Sequence, residues 1–261
     1  MKLLPNTIRS ALLMTLALST AFSIPAQAAD NNVKVATTVV MVHGAFADGS
    51  SWNKVVPYLQ AKGLNAVAVQ NPLTSLEDDV TATKRAIDAQ EGRVVLVGHS
   101  WAGSVITQAG DHEKVKSLVY VAAFAPALGE NSVEQLGAFP TPSGVAHFVH
   151  SADGFISLPA HAIASDFAQD VTAEEASIMA VTQGPVRVAN FEQRLSVAAW
   201  GKKPSWYIVA GKDRMIHPDA QRFLAKRINA KTTILPTGHV PMMSDPKAVA
   251  DVIVAAAQAN N

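Results

Sequence analysis

Six short stretches of the chain are apolar without alternation: Thr37–Val42, Asn65–Val69, Arg93–Val97, Ser117–Val121, Trp206–Ala210 and Thr232–Leu235. A run with no polar face fits a strand covered on both sides, as in a parallel sheet under two helix layers. Helical patterns with physical stops lie between them. Thr74-Ser75-Leu76-Glu77 reads as a capping box opening a helix to about Ala89. Pro218 stands at the first turn of a helix carrying Phe223 and Leu224, and Asp245–Ala257 has the spacing of a last helix against the sheet. Strands alternating with helices predict an open α/β sheet with right-handed crossovers.

The alternation breaks from about Ala127 to Gly201, where no convincing strand is seen. A proline-rich turn, Phe139–Gly144, precedes helical stretches, and Thr172-Ala173-Glu174-Glu175 is a second capping box. The segment reads as a helical cap inserted between two sheet strands, over the edge where α/β proteins bind ligands. The other end of the chain reads differently. Lys2 and Arg9, the apolar run Ala11–Ile24 and the A-x-A triplet Ala26-Gln27-Ala28 predict an export signal over residues 1–28. The chain after it, 29–261, is then a periplasmic or secreted domain with no remaining membrane anchor.

Composition narrows the classes further. The 261 residues are 49% hydrophobic and 16% charged, with 21 basic and 21 acidic side chains and no cysteine. That is too apolar for a disordered chain and lacks the basic footprint of a nucleic-acid binder. Disulfides, thiolate metal sites and a cysteine nucleophile are excluded. Oligomeric state leaves no mark in the pattern.

Chemistry gathers at three strand ends. Val97-Gly98-His99-Ser100-Trp101-Ala102-Gly103 follows an apolar strand and opens a helix, as a nucleophilic serine on a sharp turn requires. Ala102 stands where the strict G-x-S-x-G pattern has its second glycine. His43-Gly44-Ala45-Phe46 ends the first strand, where a glycine lets the main chain come close and Ala45 N–H joins Trp101 N–H as an oxyanion donor. Asp213 and His239 then follow the serine in the chain order acid, then base. Two rivals are weaker: His217 shares a loop with Asp213, and Asp245 at a helix start is explained as a cap. Each point alone has an ordinary structural explanation; the order of all three is what carries the reading.

With these residues in view the chain resembles an α/β-hydrolase over nearly its whole length after the signal, through Val42-His43-Gly44-Ala45, Gly98–Gly103, Gly211-Lys212-Asp213 and Gly238-His239. The His-Gly-Ala loop and compact cap are similar to the branch of plant methylesterases, hydroxynitrile lyases and bacterial esterases. The lyases carry threonine where this chain has Gly44 and lysine where it has Val240, so the resemblance implies hydrolysis. It implies a serine esterase with Ser100, His239 and Asp213 as its triad, a small-molecule ester as substrate, and no metal or organic cofactor. A different reaction on the same triad (perhydrolysis or cyanohydrin cleavage) and a non-enzymatic ligand-binding role are the alternatives.

Phe46, Phe148, Phe155 and Phe167 are expected to line the substrate pocket. His147 and His150 read as cap surface rather than as a zinc pair lacking a third ligand, and His43 and His99 as packing or hydrogen-bonding groups. Glu77-Asp78-Asp79 read as helix-start acids that need no partner beyond the dipole.

Overall fold

The computed structural model describes residues 36–259, so the expected export signal lies outside the described residues. In chain order the elements up to the middle of the sheet are β1 (Thr37–Val42), α1 (Val56–Gln60), β2 (Asn65–Val69), α2 (Leu76–Asp88), β3 (Arg93–His99), α3 (Ala102–Ala109) and β4 (Val115–Val121). A long insertion follows, with β5 (Val149–His150), β6 (Phe155–Ser157), α4 (Ala160–Ala162), α5 (Ala173–Thr182) and β7 (Val186–Arg187). The sheet then resumes with β8 (Ser205–Ala210), α6 (Pro218–Arg227), β9 (Lys231–Leu235), α7 (Pro241–Ser244) and α8 (Pro246–Gln258).

Six strands form one parallel sheet in the order β2-β1-β3-β4-β8-β9. The order reverses at β1, so crossovers of one hand place α1 on one face and α2 and α3 on the other. Packing agrees: α8 lies against α1, and α2 lies against α3. The middle strands are sealed on both sides, with Val39–Val42, Val94–Val97 and Leu118–Val121 all buried. This is an α/β-hydrolase fold with its loops gathered at the carboxyl edge of the sheet.

Two expectations change. The insertion is not purely helical: β5, β6 and β7 make a small antiparallel sheet in the cap. Strands of two or three residues are too short to show a period in sequence. The first capping box is also shifted by one residue. Ser75, not Thr74, is the N-cap, accepting from Asp78 N–H, while the Thr74 hydroxyl donates to the Asp78 carboxylate. At α5 the expected box is present, with Thr172 and Glu175 exchanging hydrogen bonds. Pro218 does open α6, but Leu224 is buried whereas Phe223 is half exposed against Phe139.

The third acid of the α2 start is not a surface group. Asp79 is fully buried, and its carboxylate accepts from Leu73 N–H at 2.8 Å and from Trp101 Nε1–H at 2.7 Å. Burial pushes its pKa up to about 6, against the pull of those two hydrogen bonds. A carboxyl that protonates more readily folded than unfolded adds stability at low pH, and that contribution is lost as pH rises through about 6. Urea unfolding of wild type and Asp79→Asn should show it. From pH 7 to pH 5 the wild type should gain about 1 kcal/mol relative to the variant. A pH-independent difference would place the carboxyl in an ordinary solvated environment.

Candidate active site

The turn at Ser100 is built by backbone strain. Ser100 sits between β3 and α3 at φ +54, a left-handed conformation that costs a non-glycine residue about 1–3 kcal/mol. Ser100 N–H donates to the Val121 carbonyl at 3.1 Å, while the Ser100 carbonyl accepts from Gly103 and Phe124 N–H at 3.0 and 3.2 Å. These bonds tie the turn to β4 and lift the hydroxyl out of the sheet. A Cβ at Gly98 would lie 2.6 Å from the Ala102 carbonyl oxygen, so that glycine is required for strand and helix to meet. The second close approach falls at Gly103, where a Cβ would lie 1.9 Å from the Phe124 carbonyl oxygen. Ala102 is buried without obstructing the turn. The departure from G-x-S-x-G is therefore harmless, because the tightest position is one residue later.

His239, after β9, and Asp213, after β8, complete the constellation. His239 Nδ1–H donates to Asp213 Oδ2 at 2.7 Å, and the Ser100 hydroxyl donates to Nε2 at 2.9 Å. Asp213 is fixed by more than the ring: Oδ1 accepts from Met215 and Ile216 N–H at 2.7 and 3.0 Å, and Oδ2 accepts from Gln221 Nε2–H at 2.6 Å. Gln221 on α6 is itself buried and also accepts from Ala210 N–H. It is a position of the candidate site that the sequence reading missed. Its only signal was an amide on the helix face shared with Leu224 and Ala225. The two rivals serve as helix caps. His217 accepts from Asp219 N–H, and Asp245 accepts from Ala248 N–H.

Two further histidines brace the site. His99 Nε2–H donates to the His239 carbonyl at 2.8 Å, and the two rings lie 4.7 Å apart. Burial, with the neighbouring His239 ring, holds His99 well below the usual imidazole pKa, so it stays neutral. His43 accepts from Asn71 N–H through Nε2 and donates through Nδ1 to the Gly44 carbonyl; burial lowers its pKa too. That ring pins the turn carrying Ala45. Gly44 has no space for a side chain, since a Cβ there would lie 2.8 Å from Ser100 Cβ and 2.9 Å from His99 Nδ1.

Ser100 and His239 open into a cavity of about 270 Å³ under the cap. Ala45, Phe46 and Phe148 line it, together with Phe124, Leu136 and Phe191. The other two aromatic expectations are corrected. Phe155 points away from the cavity under the Arg187 guanidinium, and its strand neighbour Ile156 lines the wall instead. Phe167 is fully buried behind the wall, 5.2 Å from the His239 ring and 6.1 Å from Phe46. His150 is at the cavity rim, and His147 packs against His161. Among the described residues no cluster of three or more His, Asp or Glu side chains is arranged to hold a metal. Nor is any helix there long and apolar enough to cross a membrane.

The chain belongs to the alpha/beta hydrolase family, whose model matches residues 39–252. It is 29% identical over 248 residues to a carbendazim-hydrolysing esterase of Nocardioides sp. (strain SG-4G), covering 83% of this chain and 98% of that protein. With methylesterase 2 of Arabidopsis thaliana the identity is 25% over 249 residues, covering 84% and 95%. Among solved structures, a pyrethroid hydrolase from Sphingobium faniae JZ-2 superposes with a TM-score of 0.73 at 22% identity, over 86% of this chain and 98% of that one.

The packing at the turn makes a specific forecast. Gly103→Ala should destabilise the protein by about 2 kcal/mol or more, because backbone must move. Ala102→Gly should cost no more than about 1 kcal/mol, the helix-propensity difference. Thermal unfolding of both variants is the check. Equal tolerance of the two would contradict the assignment of the tight contact to Gly103.

Proposed function

We propose that the protein is an exported serine esterase acting on a carboxylic ester with an uncharged, largely apolar body. The observation that supports this most is the hydrogen-bonded line Asp213–His239–Ser100, whose last two members line an apolar cavity. Relatives named as esterases and methylesterases point the same way.

In this reading the ester carbonyl rests beside Ser100, with its oxygen toward the Ala45 and Trp101 amides. His239 Nε2 takes the hydroxyl proton as Oγ attacks, and Asp213 holds the ring and stabilises the imidazolium. The two amides bind the oxyanion of the tetrahedral intermediate. On its collapse the C–O bond to the alcohol breaks, and His239 returns the proton to the leaving alcohol. Water, deprotonated by the same nitrogen, then attacks the acyl-enzyme and releases the acid and free Ser100. The crowded space at Gly44 weighs against cyanohydrin cleavage, because it has no room for the threonine of the lyases.

Hydrolysis of p-nitrophenyl acetate and butyrate by the 29–261 protein is the test. Ser100→Ala and His239→Ala should lower kcat by about 10⁴–10⁶ with folding intact, and Asp213→Asn by about 10⁴. A Ser100→Ala variant as active as wild type would sink the mechanism. Export has its own check: Edman or mass analysis of protein from the periplasm or medium should find Ala29 as the first residue. Cell-retained chains still beginning at Met1 would contradict it.

A further inference from the structure

Asp79 is buried, ionisable and unused by the mechanism above. It touches neither Ser100 nor the cavity; its partners are Leu73 and Trp101. Trp101 follows the nucleophile, and its backbone N–H is one of the two oxyanion donors in the proposed reaction. Its indole runs away from that amide into the core, where Nε1–H donates to Asp79 Oδ2. Leu73, held through its N–H by Asp79 Oδ1, lies in the loop between β2 and α2 at φ +60. The Leu73 carbonyl accepts from Arg187 N–H and from Asn190 Nδ2–H, both at 3.0 Å, and both residues belong to the cap. The next cap residue, Phe191, lines the cavity and meets the Trp101 ring edge-on at 5.1 Å. The contacts form a closed circuit from nucleophile turn to α2, to loop, to cap and back.

We propose that Asp79 is a positioning residue, its carboxylate setting the Trp101 oxyanion donor and the cap against one another. A carboxylate suits the place because it offers acceptors on both oxygens to two N–H donors that approach from different elements. An asparagine of the same shape turns an NH₂ toward one of the two donors, so one bond is lost and two hydrogens oppose each other. A small rotation of Trp101 then displaces its amide from the developing oxyanion, and the penalty falls on the transition state rather than on substrate binding.

This inference rests on the esterase reading, and the experiment separates the two. Wild type, Ser100→Ala, Asp79→Asn, Trp101→Phe and the Asp79→Asn/Trp101→Phe double variant are compared on p-nitrophenyl butyrate. Their inhibition by a trifluoromethyl ketone analogue, which forms an oxyanion on Ser100, is measured alongside. Asp79→Asn should lower kcat about tenfold to hundredfold with KM within about twofold. Its affinity for the ketone should weaken in parallel. Trp101→Phe removes the same hydrogen bond while keeping the backbone amide and the carboxylate, so it should act alike, and the double variant should be no worse than the poorer single one. If Asp79→Asn does not fold, Trp101→Phe carries the test alone. Variants with a lower melting temperature but unchanged kcat and ketone affinity would overturn the positioning role and leave the esterase reading standing, as would losses that simply add. A wild type inert toward the ester, or as active as Ser100→Ala, would overturn the esterase reading and this inference with it.

Discussion

Ser100 is held in a backbone conformation that its side chain disfavours, and the surrounding architecture follows from holding it there. The amide of that residue is anchored to Val121 at the end of β4 and its carbonyl to Phe124 just beyond it, and α3 approaches so closely that Gly103 can carry no side chain. The same strain recurs around the carboxyl edge of the sheet. Phe46 after β1, Leu73 after β2 and Ala122 after β4 also have positive φ, at +58, +60 and +45. Each such residue costs about 1–3 kcal/mol, a strain tolerated where the surrounding structure over-determines the turn, as the buried strands β1, β3 and β4 do for Phe46, Ser100 and Ala122. The sheet fixes the strand ends, and the strained turn after β3 sets the direction of the Ser100 side chain.

Electrostatics at the site are arranged so that each buried polar group has one task. Asp213 accepts from four N–H groups, of which only one belongs to His239. The other three orient it, so the ring meets an acceptor already in place rather than one that must reorganise. His99 stays neutral and grips the His239 main chain, while its Nδ1 faces the tight Gly44 turn with no hydrogen-bond partner. A charged imidazole there would face His239 across 4.7 Å and oppose any positive charge on that ring. The cap contributes apolar wall, and its polar ties run back to Leu73 in the β2–α2 loop through Arg187 and Asn190 and to Leu76 at the start of α2 through Gln193.

Much of this was legible in the sequence for a physical reason. The buried strand β1 leaves an unbroken apolar run whose ends match the structure, and the partly buried edge strand β2 keeps its expected bounds as well. The strand β3 extends two residues further because Gly98 and His99, polar or turn-like by type, continue the ladder beside β4. Ser100, Asp213 and His239 were readable because each closes such a run, and the fold fixes their order. What was illegible depends on distant contacts. Asp79 has the local signature of a dipole acid, and only the approach of Trp101 and Leu73 makes it a buried acceptor. Phe155 and Ile156 are adjacent and both apolar; which one faces the cavity is set by the register of a three-residue strand. The demand for glycine at 103 likewise comes from the Phe124 carbonyl, which lies beyond β4 in the chain.

We propose that the turn, the histidine and the aspartate together activate the Ser100 hydroxyl above the others of the described residues. Intact-mass and peptide analysis after exposure to a fluorophosphonate measures this directly, without knowledge of the natural ester. A single stoichiometric adduct on Ser100, formed in wild type and absent in His239→Ala, is the predicted result. An unmodified protein, or an adduct on another residue such as the cavity-lining Ser132, would contradict it.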